Sequence, residues 1–224
     1  VYIWFGKIKG GLAITTVIAC TIMGALVGVV GAEVVTFGII ALPAMLERKY
    51  DRNIALGCIS AGGGLASLIP PSVVFILYGM VCGVSIGELY IAGVIPGLIL
   101  ATGFIIYIAI RCLINPTLGP AAPLEERNIP LKQKLVLLKG LILPAMIILL
   151  VLGSIYGGIA TATEAGGLGC VGAMLSAAIH RKLTFKGVQD SLYMTAIVSG
   201  MIVWLLFGSQ AIIGVFTLAG GTEF

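Results

Sequence analysis

The chain has 224 residues, of which 59% are hydrophobic and 10% charged, with a formal net charge of +4 and a mean hydropathy of +1.17. Soluble globular domains carry about 25% charged residues, so this composition excludes an ordinary soluble protein. Several apolar runs exceed the ~20 residues that a helix needs to cross a bilayer. We therefore expect an all-α polytopic membrane protein. Because it starts at Val1 and stops just after an apolar run, we interpret it as an internal fragment.

Few residues are available for metal, disulfide or nucleotide chemistry. The five cysteines stand singly in apolar surroundings, without a CxxC spacing, and the single histidine is His180. The sequence contains no GxxxxGK[ST] motif and no GxGxxG motif after a strand. The basic residues flank apolar runs, as membrane topology requires, and do not indicate nucleic-acid binding. We expect no metal centre, no disulfide and no bound cofactor.

In chain order, the first apolar stretch is residues 11–46, and its one charged residue is Glu33. Glycines at 24, 28 and 31 offer a place to turn inside the membrane, so the stretch is either one long helix or a re-entrant hairpin. Lys7 and Lys9 precede it, and residues 47–53 add three cations behind it. Cytoplasmic flanks collect Lys and Arg, which favours a hairpin with both ends inside.

The second stretch, residues 54–82, contains no charged residue but is interrupted at its centre. Three successive glycines lower helix propensity by roughly 1 kcal/mol each relative to alanine. Pro70 and Pro71 remove two amide donors. The pattern predicts two half-helices joined by non-helical backbone, which in lipid survives where it is buried or lines a cavity. The alternative is a proline kink with packing glycines.

Such broken helices carry ion and substrate sites in secondary transporters, because unwound backbone exposes carbonyl oxygens. A hard monovalent cation such as sodium prefers several oxygens of this kind. The predicted sodium ligands are residues of the two interrupted stretches: Gly28, Val29, Gly31, Gly62, Gly63, Gly64, Ser67, Pro70 and Ser72.

Two carboxylates lie in apolar surroundings. A charge inside the hydrocarbon region costs about 2.5–3.5 kcal/mol on insertion scales, so Glu33 either faces a cavity or a cation, as a candidate substrate-binding residue, or reaches the interface or a neighbouring helix. Glu164 opens a helix that Thr161 or Thr163 can cap, and an acid in the first turn complements the helix dipole. Helix capping by itself accounts for Glu164.

The remaining runs complete the topology. Residues 89–110 cross back, residues 113–139 form a cytoplasmic, proline-rich charged connection, and three further spans are predicted at 140–156, 163–179 and 191–207. With the hairpin, all 13 Lys and Arg fall on one side of the membrane. The expected organisation is 1–112 as the first half of a transport domain, 113–139 as the connection and 140–224 as the truncated start of a second half.

Several motifs follow one another in a recognisable order: Gly10-Gly11-Leu12-Ala13, Ala41-Leu42-Pro43-Ala44-Met45, residues 62–72, Gly83-Val84-Ser85-Ile86-Gly87 and Ala92-Gly93-Val94-Ile95-Pro96-Gly97. This order resembles the large membrane subunit of TRAP (tripartite ATP-independent periplasmic) transporters, over essentially the whole chain. The block from Leu68-Ile69-Pro70-Pro71-Ser72 to Gly83-Val84-Ser85-Ile86-Gly87 is specific for this family.

The resemblance implies sodium-driven import of organic acids such as dicarboxylates, with substrate delivered by an extracytoplasmic solute-binding protein. It also implies a small membrane subunit as partner, an inner-membrane location, and an elevator-type transport domain with re-entrant hairpins and broken helices in inverted repeats. On that pattern residues 11–46 are the first hairpin and residues 62–72 the first broken crossing. The resemblance implies that these two elements line a sodium site together, and that the second hairpin and the second broken helix lie beyond Phe224, so that this chain holds about half of the site.

Two departures from the family pattern concern the hairpin tip and the cap of the later helix. Many members have a Gly-Ser-Ser type tip, whereas Gly28-Val29-Val30-Gly31-Ala32-Glu33 stands here, so backbone carbonyls would replace side-chain hydroxyls. The usual proline before Thr-Glu-Ala is Ala162.

Two other functions remain open. One is a stand-alone ion-coupled carboxylate carrier. The other is an intramembrane enzyme using Glu33 or Glu164 as acid or base, for which the sequence shows no catalytic partner such as a histidine or a metal cluster.

Overall fold

The computed structural model describes residues 8–121 and 131–221, and the regular elements found there are all helical. In chain order they are α1 (Gly11–Val27), α2 (Val30–Glu47), α3 (Arg52–Gly64), a 3₁₀ turn (Leu65–Ser67), α4 (Val73–Cys82), α5 (Ile86–Ile114), α6 (Leu131–Tyr156), α7 (Ala162–Ile179) and α8 (Phe185–Leu218). Within these residues, four helices, α2, α5, α7 and α8, are long and apolar enough to cross a membrane. The expected all-α polytopic fold is confirmed.

The first apolar stretch turns where the glycines allow it. Helix α1 ends at Val27 and is capped by Gly28, whose φ of 63° lies in the left-handed region that favours glycine. Helix α2 starts at Val30 and packs back against α1. The predicted helical hairpin is confirmed in place of one long helix, whereas the membrane side of its ends stays a prediction.

The second stretch is broken, but the break lies later than predicted. The glycines 62–64 are helical and complete α3, and the non-helical backbone runs from residue 68 to residue 72. Packing explains why these glycines stay helical. A Cβ atom on Gly62 would lie 3.0 Å from Cys20 of α1, and one on Gly63 would overlap Val34 of α2. Tertiary contact therefore outweighs the weak helix propensity of glycine.

The buried core joins α1, α2, α3 and α5. The side chains that α1, α3 and α5 contribute to it are mostly small or branched, and they include Ala13, Ile14, Val17, Ala55, Cys58, Ile59, Ile108 and Cys112. The loop after α5 ties this core at one end, because Gly10 N–H donates to Gly119 O at 2.8 Å and Asp51 N–H donates to Leu118 O at 3.0 Å. Asp51 also caps α3 by accepting from the amides of Asn53 and Ile54.

The later helices are longer than the predicted spans. Helix α6 begins at Leu131, inside the predicted connection 113–139, whose residues 122–130 lie outside the described part of the chain. Helix α8 has 34 residues and extends beyond the predicted 191–207 at both ends. Contacts divide the chain into one unit of Val1–Gly172 and another of Ala173–Phe224. The division into 1–112, 113–139 and 140–224 stays a prediction about the transport domain.

Candidate ion and substrate site

The break of the hairpin and the break of the second span meet at Gly28. A Cβ atom on Gly28 would lie 2.8 Å from the carbonyl oxygen of Pro71 and 3.7 Å from Cα of Ser72. The amide of Val73, the first residue of α4, donates to Gly28 O at 3.4 Å. Glycine at this position therefore allows both the left-handed turn and the close approach of the two backbones. We call this meeting point the break junction, formed by residues 28–29 and 67–72.

Two serine hydroxyls organise the second half of the break junction. Ser67 Oγ donates to Gly64 O at 2.8 Å, and Ser72 Oγ donates to Ser67 O at 2.7 Å. Ser72 is fully buried, so its hydroxyl holds the non-helical segment in shape without help from solvent. The Pro70–Pro71 peptide bond is cis.

The carbonyl groups of the broken segment are the chemical feature of this site. In the described chain, no donor hydrogen-bonds to the carbonyl oxygens of Leu68, Ile69, Pro70 or Pro71. A helix would have used these oxygens internally, and the two prolines supply no amide to replace that bonding. Unpaired carbonyl groups are strong acceptors that attract donors or cations.

Helix α5 supports this segment from behind. Leu68 O lies 2.9 Å from the Cβ position of Gly93, and Ile69 packs at 3.0 Å from that of Gly97. Tyr90, which is 1% exposed, stacks at a tilt on Phe75 of α4 with ring centroids 6.3 Å apart. Its hydroxyl lies near the backbone of Ser72. Sequence reasoning missed Tyr90, although a tyrosine one turn into an apolar span, just after the Ser85 cap, was the available signal.

The predicted ligand residues are not all brought together. Gly28, Val29, Ser67, Pro70 and Ser72 form the break junction. The three glycines at 62–64 lie in α3, where Gly64 O accepts the Ser67 hydroxyl. Gly31 is exposed on the first turn of α2, with nothing within 4 Å of its Cβ position. Which of these residues bind an ion stays a prediction.

Glu33 lies beside the break junction and is only 2% exposed. Its carboxylate packs against α1, with Oε2 3.2 Å from the Cβ position of Gly24, which is itself 3.0 Å from Cα of Ala66. Neither carboxylate oxygen has a hydrogen-bond partner in the described part of the chain. The structure therefore places Glu33 in the protein interior and not at the interface.

Glu164 has the capping role that its position predicts. Its Oε2 accepts from Thr161 N at 2.8 Å and from Thr161 Oγ1 at 2.9 Å, while Thr161 Oγ1 accepts from Glu164 N at 3.3 Å. This reciprocal arrangement is a capping box for α7. The Glu164 carboxylate is therefore engaged in helix capping.

A groove of about 650 Å³ between α3 and α5 was also missed from the sequence. It has a polar end at Asp51, Asn53 and Arg111 and an apolar body that includes Phe104 and Tyr107. None of the predicted ligand residues lines it. It is therefore separate from the break junction.

The sequence matches a known protein family over almost its whole length. The family model described as "Tripartite ATP-independent periplasmic transporter, DctM component" matches residues 1–223. The chain is 37% identical over 207 residues to the ectoine TRAP transporter large permease protein of Halomonas elongata, covering 91% of this chain and 46% of that protein. It is 32% identical over 232 residues to the C4-dicarboxylate TRAP transporter large permease protein of Rhodobacter capsulatus, covering 96% and 50%.

A third relative is the isethionate TRAP transporter permease protein of Oleidesulfovibrio alaskensis, 31% identical over 202 residues, covering 90% of this chain and 31% of that protein. The chain thus spans about half the length, or less, of these relatives. All three are named as transporter permeases and not as enzymes. The family match over residues 1–223, the apolar helices and the paired helix breaks lead to one conclusion: this chain belongs to the large permease (DctM) family of TRAP transporters, multi-pass proteins of the inner membrane.

Proposed function

We propose that the chain forms the first half of the transport domain of a sodium-coupled importer of organic acids. The observation that carries this proposal is the break junction. Two interrupted helical segments, far apart in sequence, meet at Gly28 and Pro71, and four successive carbonyl groups there have no donor in the described chain. Backbone oxygens at paired helix breaks are the type of ligand that coupling cations use in secondary transporters.

The substrate class is proposed from the relatives. Their names give ectoine, C4-dicarboxylates and isethionate as transported compounds. A small organic acid is the common chemistry that we propose for this chain. The acidic group of such a substrate, a carboxylate or a sulfonate, would approach the ends of the broken helices, where helix dipoles and a bound cation favour negative charge.

The partners are proposed from the tripartite family. We expect a small membrane subunit, which would form a scaffold with the large subunit, and an extracytoplasmic solute-binding protein, which would deliver the substrate. Transport would then be an elevator movement that carries the hairpin and the broken helix as one body. The buried core supports this, because the hairpin helices α1 and α2 and the first half of the broken span, α3, contribute to the same cluster.

The test is uptake by the complete transporter in proteoliposomes, with its small membrane subunit present. Radiolabelled succinate, ectoine and isethionate would be offered with or without an inward sodium gradient and with or without the purified solute-binding protein. Potassium would replace sodium at equal ionic strength as the control. We expect uptake only when both the sodium gradient and the binding protein are present.

The other results would contradict parts of the proposal. Uptake with sodium but no binding protein would favour a stand-alone ion-coupled carrier. Uptake that is independent of sodium would contradict an ion site at the break junction.

A further inference from the structure

The Glu33 carboxylate is a buried acid without a visible counter-charge. It is 2% exposed, and neither oxygen accepts a hydrogen bond from the described residues. Its Oε2 lies 3.2 Å from the Cβ position of Gly24 of α1, and that position is 3.0 Å from Cα of Ala66 in the 3₁₀ turn. The Cys20 thiol, one helical turn before Gly24, is close enough to the Glu33 carboxylate to interact with it electrostatically. Nothing in these contacts neutralises an anion.

The local backbone offers only weak compensation. Glu33 lies in the first turn of α2, whose cap residue, Val29, has no side chain that can accept a hydrogen bond. The positive end of a helix dipole stabilises a nearby acid modestly. An ionised carboxylate removed from water needs a paired cation and further hydrogen bonds to be stable. The chain as described supplies no such cation at this place.

The position of Glu33 links it to the break junction. The Glu33 amide donates to Val29 O at 3.3 Å, so Glu33 lies one helical turn from the hairpin half of the break junction. Gly24, beside the carboxylate, accepts the amide of Gly28 through its carbonyl oxygen at 2.9 Å. The Cβ position of Gly24 is also 3.0 Å from Cα of Ala66, and Ala66 directly precedes Ser67, whose carbonyl accepts the Ser72 hydroxyl. A cation at the junction would find neutral oxygens and a negative charge together.

We propose, as a deepening of the transport function above, that Glu33 is the anionic partner of a monovalent cationic group that enters beside the break junction. Two sources share this chemistry: an inorganic coupling ion, or the positively charged group of a zwitterionic substrate. In either case the bound cation compensates the charge of the buried Glu33 carboxylate. The close fit against Gly24 leaves room because position 24 has no Cβ atom.

The experiment measures ligand-dependent thermal unfolding of the complete transporter, purified with its small subunit. One arm titrates sodium against potassium at constant ionic strength without organic substrate. The second arm, in potassium, compares ectoine, which has both an amidinium and a carboxylate group, with succinate, which has no cationic group. The variants are Glu33→Gln and Glu33→Asp. Glu88→Gln is the matched control, because Glu88 is also a first-turn acid but is exposed.

We expect Glu33→Gln to weaken binding of the cationic probe by about tenfold or more, since it removes one member of a buried charge pair. Glu33→Asp should keep part of the response, and Glu88→Gln should keep all of it. Loss of the sodium response identifies the inorganic ion as the source. Loss of the ectoine response alone, with succinate unaffected, identifies the substrate group.

Two results would overturn the proposal. One is a Glu33→Gln protein that binds both probes as the wild type does, which would mean that the acid is neutral and structural. The other is a wild type that responds to neither probe. Uptake assays separate this from the parent proposal: sodium-dependent uptake together with unchanged cation binding in Glu33→Gln contradicts only the role of Glu33.

Discussion

At the scale of single residues, the hairpin tip depends on glycines, whose lack of a Cβ atom leaves space for neighbouring groups. Gly24 leaves space for the Glu33 carboxylate, and Gly28 leaves space for Pro71 O while adopting a left-handed φ. Gly31, three residues further on, has open space around it. The tip therefore contains closely packed glycines, at 24 and 28, and one glycine in open space, at 31. Substituting alanine at each kind of position tests which glycines the fold requires.

Replacing Gly28 by alanine should destabilise the protein. The left-handed conformation costs a residue with a Cβ atom about 1–2 kcal/mol, and the added atom would lie 2.8 Å from Pro71 O, which must then move. The measurement is thermal unfolding of the complete transporter in sodium-free buffer, so that a change in ion binding does not contribute.

The matched control is Gly31→Ala, at an exposed helical position where alanine is favoured over glycine by up to about 1 kcal/mol. We expect it to be neutral or stabilising. Equal loss of stability in both variants would mean that the contact with Pro71 is unimportant.

At the scale of elements, the fold is decided where α1, α2 and α3 approach one another. Gly62 faces Cys20 of α1 and Gly63 faces Val34 of α2, so α3 packs against both arms of the hairpin. Gly64 completes the helix and faces open space. The three neighbouring glycines thus have different surroundings, although the sequence presents them as one run.

Replacing Gly63 by alanine should separate α3 from α2. The new methyl group would overlap Val34 and come within 3.2 Å of its amide nitrogen, so the backbone must shift. Overpacking of this kind typically costs about 1–3 kcal/mol. The free energy of unfolding in mild detergent is the quantity to measure.

Gly64→Ala provides the comparison within the same run, since its φ of −60° suits alanine and no atom lies within 4 Å. It should leave stability unchanged or raise it. A loss as large as that of Gly63→Ala would indicate a general demand for flexible backbone in this segment and not a packing contact.

At the scale of the whole molecule, the predicted topology places the two ends of the α1–α2 pair on the same side of the membrane. The paired helices α1 and α2 return the chain to the end where it started, and the loop before α3 is bound to the segment after α5 through Asp51 N–H and Leu118 O. This arrangement agrees with basic flanks gathered on one side.

Single cysteines at Lys9, Arg52 and Val84, introduced into a cysteine-free complete transporter, should resolve the sidedness. We expect Lys9→Cys and Arg52→Cys to react with a membrane-impermeant maleimide only in inverted vesicles. Val84→Cys, in the turn between α4 and α5, should react only in intact spheroplasts, because one broken crossing separates it from Arg52. Labelling of positions 9 and 52 from opposite sides would show that the α1–α2 pair crosses the membrane.

Sequence by itself determined the features that depend on local chemistry. The composition and the length of the apolar runs indicate a membrane protein. Gly28 permits the turn between α1 and α2, and the two prolines interrupt the helical hydrogen bonding of the second span. Thr161 and Glu164 cap α7. These outcomes follow from bonding groups within a few residues of each other, so the pattern of residues is sufficient to predict them.

Only the tertiary structure decided the features that depend on contacts between distant residues. Gly62 and Gly63 are helical where α1 and α2 pack on them, Gly28 meets Pro71 across 43 positions of the chain, and Glu33 is buried against Gly24. Helix propensity is a weak local preference. Close packing in the interior decides which backbone atoms approach one another and which charged groups are desolvated. For that reason the two breaks and their shared site were predictable, and the close approach of Gly28 to Pro71 was not.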